Sequence, residues 1–315
     1  MHTKEKFISI IIPSKNSEKT VRQVLTAIFN QRINNFEVIV IDSGSKDNTL
    51  TILKEFPIRL HQIQPHEFGH GKTRNLGAEL ASGDILVFLN SDAIPVNKLW
   101  LELLIEPLND PEIAASFSRH IPYARCNPAE KLFIVKSFPP FSKTLSCEDL
   151  KNDLLSRLIS FSSVSGALKK GIWKEIRFRE DVVGAEDNDI GLRTLNGGRK
   201  IRYCAESKVM HSHNFTIKTV FKKYLEYGFT YREEKIILSR SSAFLWKTIR
   251  YFNSLVSETL KYVVKVDGAS KSFSALLYTF AKALGFLIGY SSLNMPKCIR
   301  TYLMAQTWTT SRKKC

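Results

Sequence analysis

Four short strand-like runs in the first ninety residues, three of them apolar and each set off from the next by a polar turn and an amphipathic segment, constrain this chain's fold most. They are FISIIIP, FEVIVID, IRLHQIQ and GDILVFLN. Between them lie SEKTVRQVLTAIFNQ, with Val21, Leu25 and Ile28 at helical spacing, then TLTILKEF after the turn formers DSGSKDNT, and TRNLGAELASG after the polar HEFGHGK. Strand and helix alternating in this way predict an α/β fold, a mostly parallel sheet flanked by helices. Two runs end on acids, FEVIVID at Asp42 and ILVFLNSD at Asp92. Ligands of open parallel sheets bind beyond the carboxyl ends of the strands, so the coincidence points to a site there. Each acid taken singly is also an ordinary turn or cap residue.

Composition narrows the function. With 43% hydrophobic and 24% charged residues over 315 positions, the chain can build a substantial core, which excludes disorder. Its five cysteines have no CxxC spacing, which argues against a zinc ribbon or disulfide framework and fits a reducing compartment. MHTKEKFISIIIPS lacks the features of a signal peptide, so a cytoplasmic protein is expected. Residues 214–315 hold 17 Lys and Arg against 5 Asp and Glu, most of the net charge of +16. These cations alternate with Phe, Leu, Tyr and Trp, a pattern that suits an anionic membrane surface at the inner face of the cell membrane better than nucleic acid. In SFSALLYTFAKALGFLIGY, the residues Phe273, Leu276, Leu277, Phe280, Leu284, Leu287 and Ile288 share one helical face and Lys282 takes the other. An interfacial helix is expected, with core packing or a homo-oligomer interface as the alternatives. GHGKT lacks the first glycine of a Walker loop, and no GxGxxG follows the first run, so neither phosphate-binding loop is present.

IIPSKN, VIDSGSKDNT, TRNLGAELASGDILVFLNSDA and GAEDNDIGLR occur in an order that resembles glycosyltransferase family 2 over about residues 7–235. FGHGKTRNLGA and HSHNFT are most similar to its rhamnosyltransferase-like members. The resemblance implies a GT-A fold, with a Rossmann-like nucleotide-sugar-binding half at 1–95, an acceptor half at 96–235 and a basic helical extension at 236–315. It also implies a nucleotide-diphosphate sugar donor, Mg²⁺ or Mn²⁺, inversion at the anomeric carbon, and a glycan or polyprenyl-linked glycan acceptor in polysaccharide biosynthesis.

Carried over by residue, Pro13, Lys15 and Asn16 fall in the loop that cradles base and ribose, and Asp42 matches the acid that accepts from the base. Ser43 replaces the second acid that many members carry. Arg74 and Asn75 match a donor-binding pair. NSD, residues 90–92, takes the place of the family's DxD, with Ser91 beside the donor, Asp92 as the metal-holding carboxylate and Asn90 as a weaker ligand. Gly166, in a glycine-containing loop, and Trp173 match the acceptor side. Glu186 and Asp187 match the pair that holds the general base, with Asp187 as the base and Glu186 orienting the acceptor, though acids at a helix start are also plain stabilisers. His211 is the expected further metal ligand and His213 a weaker one, both read as lying on the same side of a strand. Two rival functions stand beside this. A sugar nucleotidyltransferase should open with a GxGTR loop, which IIPSKNSEKT lacks, and a noncatalytic membrane scaffold is compatible with Asn90 and the basic tail.

Overall fold

The computed structural model describes residues 6–152, 159–182, 184–233, 242–266 and 269–291. Its strands are β1 (Ile8–Ser14), β2 (Phe36–Asp42), β3 (Arg59–Gln62), β4 (Ile85–Leu89), β5 (Ile94–Pro95), β6 (Ile113–Ile121), β7 (Lys143–Leu145), β8 (Ser165–Lys169) and β9 (Lys200–Met210). Its α-helices are α1 (Val21–Phe29), α2 (Thr49–Leu53), α3 (His70–Leu80), α4 (Trp100–Ile105), α5 (Pro128–Ser137), α6 (Cys147–Asn152), α7 (Lys170–Ile176), α8 (Glu186–Asn196), α9 (Ile217–Glu233), α10 (Ser242–Val266) and α11 (Ala269–Ser291). They fall into two compact units, one of residues 1–121, 138–181 and 186–211, the other of residues 122–137, 182–185 and 212–315.

The first unit is built on one sheet of order β3-β2-β1-β4-β8-β6-β9-β5, with β7 beside β9. β3, β2, β1 and β4 run parallel, as the alternation predicts. Beyond β4 the sheet is mixed, because β8 enters antiparallel between β4 and β6 while β6 and β9 are parallel. The runs of β1, β2 and β4 are apolar because both faces are covered, whereas β3, at the edge of the sheet, is largely exposed. On one face, Val21, Leu25 and Ile28 of α1 join Ile10, Ile12, Val38, Val87 and Trp100 in the core. On the other, α3 lies so close that a Cβ at Gly77 would meet Ile11 Cγ2 at 2.3 Å. α3 also begins inside the polar segment, at His70.

Strand ends place the expected site residues. β2 ends on Asp42, β4 stops at Leu89 so that Asn90–Asp92 form the turn after it, and β9 stops at Met210. His211 and His213 therefore follow a strand rather than occupy one, and strand alternation is not what relates them. His213 falls in the second unit.

The last segment of that unit begins at Ser212 rather than at the expected 236, and the unit recruits α5 and residues 182–185 from the middle of the chain. The reason is packing: Ala129 of α5, Val220 of α9, Val263 of α10 and Ala275, Tyr278 and Ala281 of α11 form one core. α11 meets α9 through glycine, since a Cβ at Gly289 would stand 2.1 Å from the Leu225 carbonyl oxygen and one at Gly285 2.5 Å from that of Phe221. Lys282 is buried and pairs with Glu130 of α5, with its Nζ 4.2 Å from the centre of the Phe133 ring. Phe273, Leu277, Phe280 and Leu284 face outward. The helix thus combines a packed inner face with the expected apolar outer one. Residues 236–241, 267–268 and 292–315 of the expected extension lie outside the described residues.

Candidate active site

The loops after β1 and β2 are laced together at the carboxyl edge of the sheet. Asn16 adopts a left-handed φ of 49°, its backbone N–H donates to Ser45 Oγ (2.8 Å), and its Oδ1 accepts from the Lys46 N–H (2.8 Å). Asp42 is fully buried and accepts from the N–H groups of Gly44 (3.0 Å) and Ser45 (2.9 Å) and from Ser45 Oγ (2.5 Å). Its carboxylate thus folds the turn that positions Asn16. Lys15 and Asn16 are exposed and Pro13 half-buried, so this loop offers a surface. The Asn90–Asp92 turn is braced from the same side, because Ser17 Oγ and Ser91 Oγ share a hydrogen bond (2.7 Å) and Thr20 Oγ1 donates to the Ser91 carbonyl (2.8 Å).

Arg74, buried in the first turns of α3, ties two clusters together. Nη1 donates to Glu186 Oε1 at 2.7 Å and to the His70 carbonyl, and Nη2 donates to Asn90 Oδ1 at 3.1 Å. The guanidinium and Glu186 side chains are only 5% and 7% exposed. Asn90 therefore spends its oxygen on Arg74. Next to Glu186, at the start of α8, Asp187 is half-buried and accepts from the N–H of Ser163 (3.2 Å) and of Asn188 (2.8 Å). Burial, and then the neighbouring Glu186 charge, push its carboxyl up to about 6. A carboxyl so raised exchanges protons near neutrality, as a general base requires.

On the other side of the Asn90–Asp92 turn, Asp92 Oδ1 stands 3.5 Å from His211 Nε2. An oxygen and a nitrogen at this spacing could hold one divalent cation. His120 of β6, which the sequence reading passed over, packs against His211, and burial together with that neighbour pushes it well below the usual histidine range.

Asp42, Arg74 and Glu186, expected to meet base, donor and acceptor, are buried and spend their groups on their own turn or on one another, and three further expected ligand-facing residues turn inward. Asn75 donates to the Phe178 carbonyl (2.8 Å) and Glu180 Oε1 (2.9 Å) and accepts from Trp173 Nε1 (3.0 Å) and the Phe178 N–H (3.1 Å), so its amide is spent inside the fold. Trp173 is buried with it, and both brace α3 against α7 and the segment after it. Gly166 lies within β8, not in a loop, and a Cβ there would collide with the Ser162 carbonyl at 2.5 Å and the Phe161 ring. Its missing side chain makes room for residues 160–163, the segment that supplies Asp187's partner. Sequence reasoning missed Ser163 and His120. The signals were the serine-rich SFSSVSG and the alternate polar positions Ser116, Ser118 and His120 in IAASFSRHI.

The family model Glycosyl transferase family 2 matches residues 9–153, which take in β1 from its second residue, β2 to β4 and the Asn90–Asp92 turn. The O-antigen chain rhamnosyltransferase RfbN of Salmonella typhimurium is 32% identical over 298 residues, 92% of this chain and 92% of that one. The O-antigen chain rhamnosyltransferase WbaN of Salmonella anatum is 31% identical over 297 residues with the same coverage. Among solved structures, the mannosyltransferase PcManGT from Pyrobaculum calidifontis, in complex with GDP-Man and Mn²⁺, is similar with a TM-score of 0.57 at 16% identity, over 96% of this chain and 85% of that one, a likeness of fold. With the family model matched over its first half and relatives matched along nearly its whole length, the chain belongs to glycosyltransferase family 2.

Proposed function

We propose that this glycosyltransferase moves rhamnose from a nucleotide diphosphate to a hydroxyl of a growing O-antigen-type glycan on a polyprenyl carrier, with inversion and with a divalent cation. The observation that carries the reading is Arg74, whose one guanidinium touches Asn90, two residues from Asp92, and Glu186, next to Asp187. The candidate metal-holding turn and the candidate base are therefore held about a single buried cation. The two rhamnosyltransferases support the sugar and the glycan, and the mannosyltransferase complex supports the class of donor and cation.

Asp187 takes the acceptor's hydroxyl proton as that oxygen attacks the anomeric carbon. The bond from that carbon to the diphosphate oxygen breaks on the opposite side, its electron pair leaves with the diphosphate, and the configuration inverts. Pro13, Lys15 and Asn16 are placed to meet the nucleotide. Asp92 and His211 would hold the cation, with His213 a further candidate from the sequence; carboxylate with imidazole suits Mn²⁺ better than an all-oxygen ion such as Mg²⁺. Bound there, it would offset the charge that develops on the leaving diphosphate. Calorimetry with a nucleotide-diphosphate rhamnose should show binding that requires Mn²⁺, abolished in Asp92→Ala and weakened in His211→Ala. Unchanged Mn²⁺ dependence in both variants overturns the cation assignment, and tighter binding of a different nucleotide sugar overturns the rhamnose.

The protein works, in this reading, at the inner face of the cell membrane. α11 includes one stretch, Phe273–Ser291, long and apolar enough by length and composition to cross a bilayer. Lys282 in its middle is committed to Glu130, however, while Phe273 and Phe280 are 71% and 59% exposed on the outer face of a strongly basic segment. Such a helix suits the bilayer surface, where each buried Phe contributes about 1.5–3 kcal/mol. Full-length protein should float with phosphatidylglycerol vesicles at low salt, and the double variant Phe273→Ser, Phe280→Ser should stay behind. Failure of the unaltered protein to float rejects the membrane reading.

A further inference from the structure

We propose that His120 is a positioning residue for His211, its clamped ring holding the His211 imidazole toward Asp92. The inference rests on the reading of Asp92 and His211 as cation ligands. β6 turns Ser116, Ser118 and His120 to one buried face. The two serines knit the interior, Ser116 donating to the Leu104 carbonyl (2.5 Å) and Ser118 bonding Trp100, Ser165 and Ser207. His120, at the end of the same row, has different neighbours. Its ring stacks on Phe138 with centroids 3.8 Å apart and planes 22° apart, and it meets the His211 ring at 5.6 Å and 75°, an edge-to-face contact.

The backbone beneath both rings is pinned, because His120 pairs with Val209 across β6 and β9 and the His211 N–H donates to the Ile121 carbonyl at 2.9 Å. What is left to settle is the torsion of the His211 side chain. A ring already held by a clamped neighbour gives up less freedom on binding, which is how supporting residues raise a ligand's effectiveness. His120 also reaches Ser162 Oγ at 3.4 Å, next to Ser163, whose N–H donates to Asp187. One ring thus contacts both the cation side and the segment that supports the base.

The test is Mn²⁺ titration of the full chain, followed by electron paramagnetic resonance of the free ion, with thermal melting of every variant. His120→Ala should weaken Mn²⁺ about 10-fold or more, the range seen when partners that orient a ligand are lost, while His120→Phe, which keeps a stacked flat ring, should stay within about threefold of the unaltered protein. Where the alanine variant does not fold, His120→Leu, closer in volume but without a flat ring, should show the same loss. If Ala and Leu variants bind Mn²⁺ like the unaltered protein, or if Phe is as weak as Ala, ring positioning is overturned. If the unaltered protein binds no Mn²⁺ while still binding nucleotide diphosphate, the ligand reading itself fails and this inference with it.

Discussion

Asp187→Asn should lower turnover by about 10²–10⁴-fold, the range typical for loss of a general base, with little change in donor affinity. The amide keeps the shape of the carboxylate, and its single oxygen can accept from the Ser163 N–H or the Asn188 N–H but not from both, so basicity is lost together with one hydrogen bond. In the unaltered enzyme kcat/KM should rise with pH through about 6, the position to which burial and Glu186 raise this carboxyl, and level off above it. That limb should vanish from the residual activity of the variant. Stability should move the opposite way. A carboxyl raised on folding favours the folded state at low pH and loses that advantage as pH climbs through about 6, whereas Asn carries no charge at any pH. Denaturation at pH 7.5 should therefore find the variant close to its parent in stability, relief of the buried charge offsetting the lost hydrogen bond. An inactive variant that is also grossly unstable would point to a structural role, and near-normal transfer would move the base elsewhere.

Glu186→Ala should cost about 3–5 kcal/mol of stability, the usual consequence of stripping one partner from a buried ion pair. Against a typical total of about 5–15 kcal/mol this threatens folding itself. The penalty arises because Arg74 keeps its charge in a site where both side chains are nearly inaccessible. Adding Arg74→Met should recover much of the loss, and urea denaturation of the two single variants and the double one closes the cycle. A loss under about 1 kcal/mol for Glu186→Ala would place this pair with weak surface ion pairs. In whatever activity survives, the acid limb of the pH profile should shift downward, since Asp187 no longer faces a neighbouring anion.

The parallel half of the sheet could be read from the chain because doubly covered strands must be apolar throughout, which leaves contiguous runs such as ISIIIP and ILVFL. Nothing equivalent marks β8. Its SGALK is short and ordinary, and its antiparallel place between β4 and β6 depends on pairing with Phe88 and Phe117, which no local pattern encodes. The same holds in the site. Asp92, Asp187 and His211 could be picked out by residue type and motif, but the Arg74–Glu186 contact joins positions 112 residues apart. Asn75 and Trp173 show the opposite failure. Polar and aromatic residues look alike in a sequence whether they face a ligand or each other, and only the 3.0 Å bond from the indole N–H to the Asn75 amide decides between the two.

The pairing of Glu130 with Lys282 also sets a timetable for synthesis. Those positions are 152 residues apart, so at about 5–20 residues per second α5 leaves the ribosome roughly 8–30 s before α11 exists to receive it. Until then Ala129 lacks Ala275, Tyr278 and Ala281 of its core, Phe133 lacks Lys282, and Glu130 has not met that lysine. The first unit can begin early, since its four neighbouring strands β1 to β4 are all made within the first ninety residues. The second cannot close until nearly the last helix has emerged. A ribosome that stalls between positions 240 and 280 would therefore hold out a finished sheet together with an unfinished helical core, the kind of nascent chain that chaperones retain.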